Sequence, residues 1–275
     1  MGFLKTIELV GECLLVALLF GLPAYLYLTH VAGAKYRKAF FGKRVIKEQT
    51  VDIPLEGDFY AAAAVASYMY KSDDKNMTEP VTAAMYLKWL DEGVMAVGAE
   101  GNERCLLLLR QENPFKDSLE KKLFTFAQNA SKDGRSLTQF KLGGYAYLHH
   151  TQVVTGSDFV QQGMKWFKKH GYYVKDGVFS PVLNPAGQAA AVKVVELKNY
   201  LEASSKGKAP LPSADAPVID YMCYALLFGC EDSLCQAWQS ILPQDFASTL
   251  KMCKSFISHM EVERGLAFDK ANGLD

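Results

Sequence analysis

The sequence lacks most features that announce chemistry. It has no G-x-x-x-x-G-K-[ST] loop, no G-x-G-x-x-G after a strand-like run, no G-x-S-x-G elbow and no H-E-x-x-H. A phosphate cradle, a serine-hydrolase turn and a zincin helix need those residues at those spacings, so none is expected. Paired Cys-x-x-Cys spacing is missing too. The six cysteines are Cys13, Cys105, Cys223, Cys230, Cys235 and Cys253, and the closest two have four residues between them. Six is too few for a disulfide framework in 275 residues, which leaves reduced, buried thiols and no structural zinc as the expectation. There is no surplus of charge either. Thirty basic and thirty acidic side chains cancel, with a pI near 6.9, so no global field draws the chain to nucleic acid.

Single polar pairs do not fill these gaps. His149 and His150 are adjacent near a helix end, and neighbours on a helix point about 100° apart, so they do not share one metal ion. Asp73-Asp74 and Asp91-Glu92 fall in a turn and at a helix end, where solvated charge is the ordinary role. The expectation is no enzyme, no cofactor and no small-molecule substrate.

What the sequence does have is one long apolar run. Residues 8–30, ELVGECLLVALLFGLPAYLYLTH, reach about 34 Å as a helix, enough for a hydrocarbon core of about 30 Å. Membrane helices tolerate a proline such as Pro23, and Tyr25 and Tyr27 suit an interface. Lys35, Arg37, Lys38, Lys43, Arg44 and Lys47 follow the run, whereas only Lys5 precedes it. This asymmetry places the C-terminal bulk in the cytoplasm, and the same six residues are candidate contacts to an anionic membrane surface. Ala32-Gly33-Ala34 resembles a signal-peptide cleavage site. The run is longer than a usual signal core and carries the wrong charge polarity for export, so a cell-membrane anchor is preferred.

Beyond the anchor, one motif occurs twice. Lys88-Trp89-Leu90-Asp91-Glu92-Gly93 leads into Val94–Val97, and Lys165-Trp166-Phe167-Lys168-Lys169-His170-Gly171 leads into Tyr172–Val174. Each reads as the last turn of an amphipathic helix, a glycine C-cap and a strand. Helix, glycine and hairpin in that order assemble a winged helix, with Trp89 and Trp166 as matching inward anchors. The fold expected is mainly α with small β-hairpins (α+β). It comprises an anchor (1–34, helix 8–30), a basic connector (35–57), winged-helix-like units at 58–112 and 113–202, a Pro/Gly linker (203–217), a C-terminal helical module (218–264) and a loose tail (265–275).

Within the first unit, helices cover 58–70 and 80–92 with Thr78 as N-cap of the second, and a hairpin turns through Gly98–Asn102. In the second, helices cover 118–130, 137–147 and 159–170, the last N-capped by Ser157 or Asp158. A wing at 172–183 and a helix from Asn184-Pro185 to about Glu202 complete it.

Several segments resemble the bacterial YciQ-like predicted membrane proteins, a family with a domain of unknown function. They are Leu87-Lys88-Trp89-Leu90-Asp91-Glu92-Gly93, Leu183-Asn184-Pro185-Ala186-Gly187, Leu197-Lys198-Asn199-Tyr200-Leu201 and Asp220-Tyr221-Met222-Cys223-Tyr224-Ala225-Leu226-Leu227-Phe228-Gly229. The resemblance implies a membrane helix followed by cytoplasmic winged-helix-like modules, and it implies no activity. The large extracytoplasmic domain and Gly-rich tail usual in that family have no counterpart in this sequence.

Two functions follow. The first is a membrane-tethered protein-interaction or signalling scaffold with an unidentified protein partner. The second is a membrane-anchored DNA-binding regulator, in which Lys165, Lys168, Lys169 and Lys175 contact phosphates and Gln161-Gln162 read bases. Asp91 and Glu92, at the end of the first unit's equivalent helix, repel phosphate, and the scaffold is preferred.

Overall fold

A run of small residues sets how the helices pack. Helix α1 (Phe59–Tyr70) carries Ala61-Ala62-Ala63-Ala64-Val65-Ala66, and all six are fully buried. A helix this slim on every side lets its neighbours approach closely. Helix α5 (Gly156–Lys169) does so at Gly163, where a Cβ would collide with the Tyr60 carbonyl oxygen and the Ala64 methyl. Tyr60 stacks on Phe159 beside this crossing, with ring centroids 5.9 Å apart.

The computed structural model describes residues 40–42, 45–70, 77–176, 181–213 and 215–272. It has the expected mainly helical α+β architecture with small antiparallel sheets. After α1 come α2 (Thr78–Asp91), strands β1 (Met95–Glu100) and β2 (Glu103–Leu108), α3 (Ser118–Ser131), β3 (Ser136–Leu137) and α4 (Gln139–Leu148). Then follow α5, strands β4 (Tyr173–Asp176) and β5 (Pro181–Leu183), α6 (Pro185–Ser204), α7 (Val218–Phe228), α8 (Glu231–Ala237) and α9 (Phe246–Ala271).

Buried side chains from Phe40 to Met260 form one hydrophobic cluster. Elements assigned to different spans of the sequence therefore share a core. Helix α1 packs mainly on α5, α2 on α7 and α9, and α4 on α9. The sheet crosses the expected division as well. Strands β1 and β2 pair antiparallel, Met95 opposite Leu108 and Glu100 opposite Glu103, and β3 adds to β2 through Leu106 and Leu137. The third tryptophan, Trp238, is fully buried and donates its indole N–H to Ser204 Oγ at 2.8 Å, tying the C-terminal helices to α6.

The repeated motif is real in the backbone but offset by one residue. Gly93 (φ 66°) and Gly171 (φ 69°) are both left-handed. In the first copy Val94 N–H donates to the Trp89 carbonyl at 2.9 Å; in the second Tyr172 N–H donates to the Phe167 carbonyl at 2.9 Å. These bonds close the same glycine cap on both helices. Phe167 is thus the counterpart of Trp89, and both are fully buried. Trp166 takes the place of Lys88 and is only half-buried, because the second copy holds one more residue between tryptophan and glycine.

Other expectations are corrected locally. Thr78 is the first residue of α2 rather than its cap, and its hydroxyl accepts instead from Gly156 N–H at 2.8 Å, across the core. The cap of α5 is Thr155, whose N–H donates to the Asp158 carboxylate at 2.8 Å. Residues 136–137 are strand, and the first hairpin turns on two residues, Gly101-Asn102, not five. The supposed tail is helical, since α9 continues through Gly265 to Ala271. Among the described residues no helix is long and apolar enough to cross a membrane. The apolar segment 8–30 lies outside the described residues.

Candidate functional site

The first described residues fix one corner of the molecule. Phe40 is fully buried, with its ring 4.9 Å from Tyr68 at the end of α1 and 6.2 Å from Phe167 in the last turn of α5. Gly42 lies so close to Gln188 of α6 that a Cβ there would meet the Gln188 amide oxygen. The first described residues therefore pack beside the C-terminus of α5.

Two of the four sequence-predicted lysines, Lys168 and Lys169, directly follow Phe167 in the last turn of α5. Lys165, Lys168 and Lys169 share one exposed side of α5 at i, i+3 and i+4, and Lys175 is exposed on β4. Lys165 Nζ donates to Gln162 Oε1 at 3.2 Å, and Lys168 Nζ sits 4.7 Å from the centre of the Tyr173 ring, a cation–π contact. Val174, next to Lys175 in β4, is exposed. Trp166 stacks on His170 with centroids 4.0 Å apart. His170 Nδ1 lies 2.8 Å from the Trp166 carbonyl, which accepts its proton, and Nε2 is 3.5 Å from the Glu56 carboxylate. Of the six juxtamembrane candidates, Lys35, Arg37, Lys38, Lys43 and Arg44 lie outside the described residues. Lys47 is exposed farther along α6, where the Ile46 and Glu48 carbonyls accept from Asn199 Nδ2 at 3.0 Å.

A second cluster, of acids, surrounds the buried end of α2. Trp89 N–H donates to Glu120 Oε1 at 3.1 Å. Asp117 caps α3 through Leu119 N–H at 2.8 Å and also accepts from Gln162 at 2.9 Å. Asp58 caps α1 through Ala61 N–H at 2.8 Å. Burial raises the pKa of Asp58, Glu120 and Asp220 above the ordinary carboxylate value. Asp91 and Asp220 stand at a surface cavity of about 340 Å³ whose walls include Pro217, Val218, Ile241 and Pro243. No nucleophile–base pair is among the residues that line it; they are apolar except for the two carboxylates.

The described cysteines are reduced, and four of the five are buried. Cys223 Sγ is buried against the Ala84 carbonyl, and desolvation pushes the Cys253 thiol up to about 12, which keeps it protonated and inert. His149 packs at a tilt against Tyr145 with centroids 4.2 Å apart, and His150 opens a separate 3-10 turn. Among the described residues no group of three His, Cys, Asp or Glu side chains is placed to hold a metal ion.

A third feature was not visible to sequence reasoning. Helix α4 leaves Phe140 (78% exposed) and Leu148 (73%) in solvent two turns apart, with exposed Gly144 between them. Helix α9 exposes Val262 and Leu266 one turn apart, and Phe268. The two helices pack together, with Gln139 accepting from Ser255 Oγ at 3.0 Å and Gly143 against His259. Apolar side chains thus flank an established helix–helix contact on both partners. The only sequence signal was the i, i+8 spacing of Phe140 and Leu148 away from the core face of α4. Comparison with family models, with curated proteins and with solved structures finds no match to this chain.

Proposed function

We propose that this chain is a single-pass membrane protein whose folded region, in the cytoplasm, is a protein-interaction or signalling scaffold. Its two glycine-capped helix–hairpin passages, α2–β1–β2 and α5–β4–β5, form two winged-helix-like units fused through β3, in keeping with the resemblance to the YciQ-like family. The apolar run 8–30 and the basic residues after it support the tether. The observation that carries the scaffold is the exposed apolar stripe of Phe140, Leu148, Val262 and Leu266. Apolar residues repeated along a helix face and left in water are a surface for a partner's helix.

The test is crosslinking in membranes followed by mass spectrometry, comparing the chain with a Phe140→Asp/Leu148→Asp variant. These side chains touch solvent, so folding survives. The scaffold reading expects a defined crosslinked partner that the variant loses. An identical crosslinking pattern in both would contradict it.

The DNA-binding alternative draws on Lys165, Lys168, Lys169 and Lys175. Its base-reading candidates are already engaged, Gln162 by Asp117 and Lys165, and Gln161 by Ser157 at 3.4 Å. This favours the scaffold.

A further inference from the structure

Exposed Lys168 and Lys169 end the helix whose Phe167 packs on Phe40, the first described residue. We infer that Lys165, Lys168, Lys169 and Lys175, together with exposed Val174 next to Lys175, form a surface that rests on the anionic lipid headgroups of the membrane holding the N-terminal segment.

The inference rests on the tethered reading above and adds an orientation to it. Thirty-nine residues precede Phe40, and the apolar run within them ends at His30. Ten residues from there to Phe40 span at most about 35 Å when fully extended. Phe40 is locked between Tyr68 and Phe167, so the corner at the end of α5 is the fixed point nearest the bilayer along the chain. Lys168 and Lys169 directly follow Phe167, and Lys165 shares their side of the helix. Lysines at a helix C-terminus also complement its dipole, so the charge is stable there even without a ligand.

The local charge balance is positive. Four lysines face solvent, with Asp176 at the end of β4 and Glu56 beside His170 as the acids nearby. Val174, next to Lys175 in β4, is exposed, and an apolar side chain beside lysines suits the boundary between headgroups and acyl chains. Nucleic acid would need the same lysines. The tether instead supplies a negative surface at high local concentration, without any base-reading group.

The test uses the full chain in nanodiscs, one set of neutral phosphatidylcholine and one containing phosphatidylglycerol, with amine acetylation of each lysine followed by mass spectrometry. Co-elution of the chain with the discs checks the tether first. The inference expects Lys165, Lys168, Lys169 and Lys175 to react severalfold more slowly in the anionic discs. Exposed Lys122 and Lys251 should be unchanged. In a Lys168→Glu/Lys169→Glu variant the protection of Lys175 should disappear. If the chain does not co-elute, the tether fails and the inference falls with it. If it co-elutes but the four lysines react alike in both discs, the inference alone is overturned. Protection of the same lysines by duplex DNA in neutral discs, with none from anionic lipid, would overturn it in favour of a nucleic-acid surface.

Discussion

Trp89 is enclosed by aromatic rings, with Tyr86, Phe115 and Phe124 centroids 5.4, 4.9 and 5.6 Å away, and its N–H is bonded to Glu120. Phe167 holds the equivalent place in the second copy, fully buried against Phe40. Trp89→Ala and Phe167→Ala should each cost about 3–5 kcal/mol in denaturant unfolding of the chain. Trp166→Ala should cost clearly less, because one side of that indole faces solvent; equal losses would restore the register in which the two tryptophans match. Glu120 makes a second prediction, one of pH. Burial raises its folded pKa, so its contribution is full below the ordinary carboxylate pKa and is lost as pH rises through the folded value. Glu120→Gln keeps an oxygen for the indole and removes the buried charge. Its melting point should exceed wild type near neutral pH, with the gain shrinking toward about pH 4. A gain that is constant with pH would assign it to packing instead.

Glycines separate helix contacts that are built from those that are open. At Gly163 an added methyl meets the Tyr60 backbone, which cannot swing aside, so Gly163→Ala should destabilise by about 1–3 kcal/mol or more. At Gly144 nothing lies within 4 Å, and Gly144→Ala should stabilise α4 by roughly 0.5–1 kcal/mol. Thermal melts of both variants check the pair, and a loss at Gly144 would place an unseen contact on that face. Helices such as these were legible in the sequence because their apolar spacing and caps are local. Asn184-Pro185 marked the start of α6, and its side chain accepts from Gly187 N–H at 2.8 Å. Pairings across the chain were not legible. A two-residue strand such as β3 has no periodicity, and nothing near Gly163 names Tyr60 as its neighbour. Thr78 misled because its hydroxyl serves a helix 78 residues away instead of its own. Of the candidate site, the four lysines were legible as charge on a helix face. The packing of Phe40 beside Lys168 and Lys169 was not, since it depends on aromatic contacts of Phe40 with Tyr68 of α1 and Phe167 of α5.

The described residues share one core, although the sequence reads as a chain of units. With β3 completing the sheet of β1 and β2, and α1 crossing α5, residues 58–112 and 113–202 bury surface on each other. Hydrogen exchange should therefore show α1, α2 and α5 opening with the same free energy, as one cooperative unit. Separate opening energies for the two spans would mean that each holds its own core. Such a single body would present its faces to the proposed partner in a fixed arrangement. The tether itself is tested most directly by fusing, after Asp275, reporters that are active on only one side of the membrane. The account predicts activity on the cytoplasmic side alone, with the uncleaved chain remaining in the membrane fraction after an alkaline wash. Activity on the opposite side, or cleavage after Ala34 that releases the folded region, would contradict it.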